Sequence, residues 1–286
     1  MNMKTRSSTY IRGGLRMVKL AACIEPFFSS LDYDERIRKI HDIGFEAYEF
    51  WFHDKRFDGS RLIDEMKDFD RIGELNEKYG LTTADFVYNH PDGGIVAALI
   101  DDRDINKLLD NMEEMIGYAK KIGCSRFICG SGNRISGQAE NEAVENMVES
   151  LIQMARICEQ HGMTLLVEPF NTRVDHPDYF LDDPKMCVDV LKKVNSRNAK
   201  MLFDMYHMQI MTGNLTAFIR DNIEYIGHFH IAGVPGRNEP ASCELNYQFI
   251  LDEIDKLGYS GYAGLEYWPT IDNEKSLRET LDYFNV

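Results

Sequence analysis

Four segments of the chain end or interrupt an apolar run with a side chain that titrates. Leu165-Leu166-Val167 runs into Glu168 and is stopped by Pro169, and Met201-Leu202-Phe203 runs into Asp204. Phe229-His230-Ile231 carries an imidazole, and Gly264-Leu265 runs into Glu266. A continuous apolar run reads as a parallel strand buried on both faces, and an acid or imidazole buried at its end needs a partner. Taken singly, each is a strand-end acid facing solvent or a loop salt bridge. Brought to one point, three carboxylates and one imidazole make a mostly hard donor set for a divalent cation, Mn²⁺ or Mg²⁺ first, with Co²⁺ or Zn²⁺ compatible.

The elements that must position them alternate strictly. Strands are expected over residues 18–24, 47–51, 82–87, 126–129 and 261–266, and at the runs ending in Glu168, Asp204 and around His230. Helices are expected from Asp32, over 64–79, 105–122 and 141–161, from Asp183-Pro184 to Asn195, and over 215–222, 246–257 and 274–284. Helix-to-strand junctions fall at Gly44, Gly80, Gly123, Gly162 and Gly258, with Asn195 and Asn222 at the other two. Glycine and asparagine are the residues that most readily take the left-handed conformation just past a helix end. Seven junctions give eight strands and eight helices, and strict alternation demands a parallel sheet with crossover helices. The expected fold is therefore one α/β domain over residues 17–286, a (β/α)₈ TIM barrel, whose usual size is about 250 residues. Such a barrel carries its active site at the C-terminal ends of its strands. Glu168, Asp204, His230 and Glu266 would close strands five to eight, which are consecutive around the barrel.

Composition sets the remaining bounds. With 44% hydrophobic and 28% charged residues the chain can bury a large core. Its formal charge of −15 argues against a nucleic-acid partner. No stretch of about 18 apolar residues is present to span a membrane. Six scattered cysteines without a C-x-x-C pair read as buried thiols in a reducing, cytoplasmic compartment. Residues 1–16 are polar and basic and read as a disordered or tag-like extension.

Several residues near the expected strand ends suit substrate binding. His207 follows Asp204 by three positions, on what reads as the loop leaving that strand. Arg237 would clamp a substrate oxygen or form a surface salt bridge, and Tyr88, His90 and Trp51 would either wall the open face of a small polar substrate or serve as packing. Glu49 alternates inward with Trp51, whereas His228, two residues before His230, suits a satisfied core histidine. The Gly130-Ser131-Gly132 loop lacks the lysine and hydroxyl of a phosphate-binding loop.

Three of these segments resemble a known family. Val167-Glu168-Pro169-Phe170-Asn171, Phe203-Asp204-Met205-Tyr206-His207-Met208-Gln209 and Ile231-Ala232-Gly233-Val234-Pro235-Gly236-Arg237-Asn238-Glu239-Pro240 look like hydroxypyruvate isomerase, within the xylose isomerase-like sugar isomerases and epimerases. The resemblance implies that Glu168 and Glu266 bind a divalent metal and serve as acid and base, with Asp204 a further ligand. It also marks a departure: His230 stands where hydroxypyruvate isomerases usually carry glutamine and ketose 3-epimerases carry histidine. The function so implied is a metal-dependent isomerase of a small sugar or keto acid, working by proton transfer through an enediolate. A ketose 3-epimerase is the alternative. A metal hydrolase of the AP endonuclease type or a non-catalytic sugar-binding barrel fits less well. The expected partner is a small polar substrate, with no membrane and with self-association into a homo-oligomer left open.

Overall fold

In a computed structural model, which describes residues 17–57, 59–89 and 91–286, the alternation closes into a barrel. In chain order the elements are β1 (Lys19–Cys23), α1 (Tyr33–Ile43), β2 (Ala47–Phe50), β3 (His53–Phe57), β4 (Leu62–Met66), α2 (Phe69–Tyr79) and β5 (Thr82–Val87). Then come α3 (Ile105–Asp110), α4 (Met112–Lys121), β6 (Arg126–Gly130), α5 (Glu140–His161), β7 (Thr164–Glu168), α6 (Pro184–Val194) and β8 (Ala199–Asp204). The chain ends with α7 (Met205–Met211), α8 (Leu215–Asn222), β9 (Ile226–Ile231), α9 (Tyr247–Lys256), β10 (Tyr262–Leu265) and α10 (Asn273–Phe284). Strands β1, β2, β5, β6, β7, β8, β9 and β10 pair in that order, all parallel, and β10 closes onto β1. This is the expected (β/α)₈ barrel, and the expected extension at 1–16 lies outside the described residues.

The period of two along each strand decides what faces the axis. Leu165 and Val167 of β7 face the surrounding helices and join the main core, while Leu166 packs with Val87, Ile128 and Leu202 inside the barrel. Below that layer Ala21, Ala47 and Ala84 fill the narrow end. Continuing the same alternation turns Glu168, Asp204, His230 and Glu266 inward, above the aliphatic layer.

Helix ends follow the expected chemistry with one exception. Asp32 caps α1 by accepting from the Glu35 N–H, and Asp183 caps α6 ahead of Pro184. Asn195 ends α6 at φ 51°, in the left-handed region. Asn222 does not take that conformation: its φ is −133°, and a 3₁₀ turn over Ile223–Tyr225 leads into β9 instead.

Three further expectations need correction. The helix expected over 64–79 begins only at Phe69, and the residues before it form the antiparallel pair β3–β4, a hairpin rising from the rim. The helix expected over 105–122 is broken at Asn111 into α3 and α4. The loop expected after Asp204 is the helix α7.

A buried ion cluster pins the hairpin to the barrel. Lys67 Nζ donates to Glu25 Oε1 at 2.9 Å, to the Trp51 carbonyl at 2.8 Å and to the His53 carbonyl at 2.5 Å. Arg36 reaches the other Glu25 oxygen at 3.0 Å, and Glu25 Oε1 also accepts from the Trp51 N–H at 3.2 Å. Both cations are fully buried, so removing one leaves a buried carboxylate undercompensated. Lys67→Met is expected to destabilise the protein by about 3 kcal/mol, the low end for such a loss because Arg36 remains, as read from urea unfolding.

Candidate active site

Each acid is delivered by its own strand end. Asp204 pairs across from His230, and His230 from Gly264, so β8, β9 and β10 end in register. His230 is the hub. Its Nδ1 lies 3.2 Å from Glu266 Oε2, 3.6 Å from Glu168 Oε1 and 3.9 Å from Asp204 Oδ2. One donor atom from each of Glu168, Asp204, His230 and Glu266 lies within 4.8 Å of the others, and all four residues are buried. Glu168 Oε1, Asp204 Oδ2 and His230 Nδ1 have no hydrogen-bond partner. Buried polar atoms without partners are costly, and three of them converging from separate strands fit a divalent cation. Asp204 divides its labour: Oδ1 caps α7 by accepting from the Tyr206 and His207 N–H groups, leaving Oδ2 for the cavity.

The expected binding residues separate. The Arg237 guanidinium contacts Glu266 Oε2 directly and lies 3.5 Å from Asp204 Oδ2. Trp51 Nε1 donates to Glu266 Oε1 at 3.1 Å. His207 is fully buried; Asn171 Nδ2 donates to its Nδ1 at 2.6 Å, and its Nε2 lies 3.5 Å from Asp204 Oδ2. All three line or adjoin one cavity of about 110 Å³. Tyr88 does not: one step out of phase with Val87 and Asn89, its ring packs against Phe127 outside the barrel, and its hydroxyl donates to the Leu108 carbonyl. The placement of Tyr88 against substrate is therefore corrected. His90 lies outside the described residues. Among the cavity residues that escaped the sequence reading are Asp85, Asp92, Phe170 and His176, the last two with rings stacked at 4.5 Å. Phe170 follows the Glu168-Pro169 strand end directly, which is the signal that would have found it; His176 sits on an exposed loop without one.

The sequence model of the xylose isomerase-like TIM barrel family matches residues 37–285. A Danio rerio protein provisionally named hydroxypyruvate isomerase is 31% identical over 281 residues, covering 93% of this chain and 96% of that one. The chain belongs to the hydroxypyruvate isomerase family of xylose isomerase-like TIM barrels. A Homo sapiens protein with the same provisional name is 38% identical over 183 residues. That match spans 62% of this chain and 65% of the human one, just under two thirds of its length. A Brucella melitensis crystal structure described as AP endonuclease, family 2, is 30% identical with a TM-score of 0.82, covering 93% of this chain and 99% of that one.

The two glutamates of this family member sit in opposite fields. Burial pushes the Glu168 carboxyl up to about 8, against the pull of His230 and with the repulsion of Glu266 and Asp204. Burial also opposes ionisation of Glu266, but Arg237 and His230 outweigh it and hold that carboxyl well below the usual range. For His230, burial favours the neutral ring, yet Glu49 and Glu266 overcome it and raise the imidazole well above its ordinary value. Without a cation, folded Glu168 keeps a proton that the unfolded chain releases near pH 4.5, so stability from this group is lost as pH rises from there toward 8. Glu168→Gln is therefore expected to raise the melting temperature of the chelator-treated protein at pH 8, with the gain shrinking toward pH 5, as followed by thermal unfolding.

Proposed function

We propose that the chain is an isomerase that moves hydrogen between adjacent carbons of a short 2-oxo acid of the hydroxypyruvate type. The observation that carries this reading is the placement of Glu168 and Glu266, which flank His230 from β7 and β10 and line one small cavity together with Arg237. Two carboxylates so placed reach a substrate carbon from two sides. One removes a proton from the hydroxymethyl carbon next to the carbonyl, and one returns a proton to the former carbonyl carbon. The hydroxyl proton passes to the carbonyl oxygen, so the substrate's atoms balance through an enediolate. A divalent cation held by Glu168, Asp204, His230 and Glu266 would supply Lewis acidity to the two oxygens during this transfer.

Arg237 supports an acidic substrate. Its Nε is buried and has no hydrogen-bond partner, leaving a charged donor for a carboxylate that a neutral ketose lacks. A cavity of about 110 Å³ is also small beside the roughly 300–1,000 Å³ of drug-sized sites, which favours three or four carbons over six. Trp51 and Phe170 line the cavity and keep water from the reacting carbons. The formal charge of −15 disfavours a DNA substrate.

The second reading is 3-epimerisation of a ketose, favoured by His230 at the position where the resemblance expects glutamine. Incubation with Mn²⁺ and a panel of hydroxypyruvate, tetruloses and hexuloses in D₂O distinguishes the two. Deuterium at the terminal carbon of a 2-oxo acid supports isomerisation, and deuterium at C3 of a ketose supports the epimerase instead. Exchange with none of them would sink both. Glu168→Gln and Glu266→Gln are each expected to lower kcat by about 10²–10⁴-fold, and chelator treatment is expected to abolish turnover until Mn²⁺ is restored. Arg237→Met is expected to raise KM for the oxo acid with a smaller effect on any neutral ketose.

A further inference from the structure

The inner wall of the cavity carries two acids, Glu49 and Asp85, to which the reaction assigns no step. Glu49 enters from β2 and receives two imidazoles: His230 Nε2 is 3.0 Å from its Oε1, and His228 Nε2 is 2.9 Å from its Oε2. His228 Nδ1 in turn faces Asp85 Oδ2 of β5 at 3.3 Å. All four side chains are buried. The barrel makes room for this carboxylate at one place. A Cβ on Gly264 of β10 would lie 2.0 Å from Glu49 Oε1 and 2.4 Å from its Cδ, so only a residue without a side chain admits the carboxylate there. Gly264 pairs across from His230, which puts the vacated space beside the ring it must reach.

An imidazole offers a lone pair from one nitrogen only when its proton sits on the other, and the partner of that other nitrogen decides which. We propose that Glu49, seated over Gly264 and held by His228, is a positioning residue that fixes the proton of His230 on Nε2 and turns its Nδ1 lone pair to the cavity. The chain Asp85–His228–Glu49–His230 thus runs from the barrel's interior to the donor set. One Glu49 oxygen is hydrogen-bonded to His228 Nε2, and the other, which has no other partner, stands 3.0 Å from His230 Nε2. This rests on the cation-site reading above and extends it to residues outside the proposed donor set.

Protein labelled with ¹⁵N-histidine and loaded with Zn²⁺ as a diamagnetic probe tests the tautomer directly in the wild-type chain. A protonated Nε2 and a metal-shifted Nδ1 at His230 are expected; a protonated Nδ1 or a metal-bound Nε2 would overturn the proposal. Calorimetric titration with Mn²⁺ tests the role of the carboxylate. Glu49→Gln is expected to weaken Mn²⁺ binding about 10–100-fold. Gly264→Ala, which displaces the same carboxylate without changing its charge, is expected to weaken it similarly. Unaltered affinity in a folded Glu49→Gln protein, beside tight wild-type binding, overturns the role of Glu49 alone. A wild-type protein that takes up neither ion overturns the cation site and the proposal with it.

Discussion

Buried negative charge is the constraint on which the rest of this barrel depends. Glu49, Asp85, Glu168, Asp204 and Glu266 are all buried at or beneath one end of it. They face Arg237, His228 and His230, so the acids outnumber their cationic partners even with both imidazoles protonated. A buried charge is tolerated only when paired and hydrogen-bonded. Several features follow from that. Arg237 reaches back over the rim onto Glu266 and Asp204, with its own backbone at φ 57°, a conformation uncommon for a side-chain-bearing residue. Two histidines alternate along β9 to meet acids above and below. The partnerless oxygens of Glu49, Asp85, Glu168 and Asp204 mark where compensation within the protein stops.

The scaffold supplies rigidity where that charge is concentrated. The buried Val87, Ile128, Leu166 and Leu202 cluster fills one side of the barrel interior beside the acids, and the low local dielectric strengthens the electrostatic interactions there. Asp204 shows how one residue serves both fold and site. Its cap on α7 fixes the carboxylate's rotation through two backbone N–H groups, and the same rotation presents the second oxygen to the cavity.

Much of this was legible in the sequence because it rests on local periodicity. Apolar runs ending in acids specify strands, inward alternation places Glu168 and Asp204 on one side, and glycine or asparagine marks the helix ends. What escaped depends on long-range partners. The segment 53–66 is charged and lacks alternation, so its later half resembles the start of α2. It pairs as a hairpin because Lys67 and Glu25 anchor its base. Asn222 looks like the other helix-ending asparagines, but the chain spends one more 3₁₀ turn before β9. Tyr88 was placed by its proximity to a strand end, whereas the phase of the strand turns it outward. His228 is buried as expected, but its Nδ1 has no hydrogen-bond partner, so it is not the satisfied core histidine that the alternation suggested. Its connection to Glu49 required knowing how the barrel closes, which brings β2 within reach of β9 across the interior.

The division between readable and unreadable residues follows the division of labour in the fold. Donor atoms come from strand ends, where the period of two leaves little freedom, and the same positions can be found from sequence in any barrel of this kind. The rim of the cavity comes from segments beyond the strand ends: Trp51 ahead of the β3–β4 hairpin, the loop carrying His176 and the turn carrying Arg237. Their conformations are set by contacts such as Asn171 holding both His207 and Asp175, which no local pattern encodes. A barrel can therefore keep its acids and its proton chemistry while the rim changes what fits between them. His230 sits at the boundary of the two. It closes a strand beside Glu168, Asp204 and Glu266, yet its other nitrogen stands 3.0 Å from Glu49 on a strand three places round the barrel, so replacing it alters the cavity and leaves a buried carboxylate exposed together.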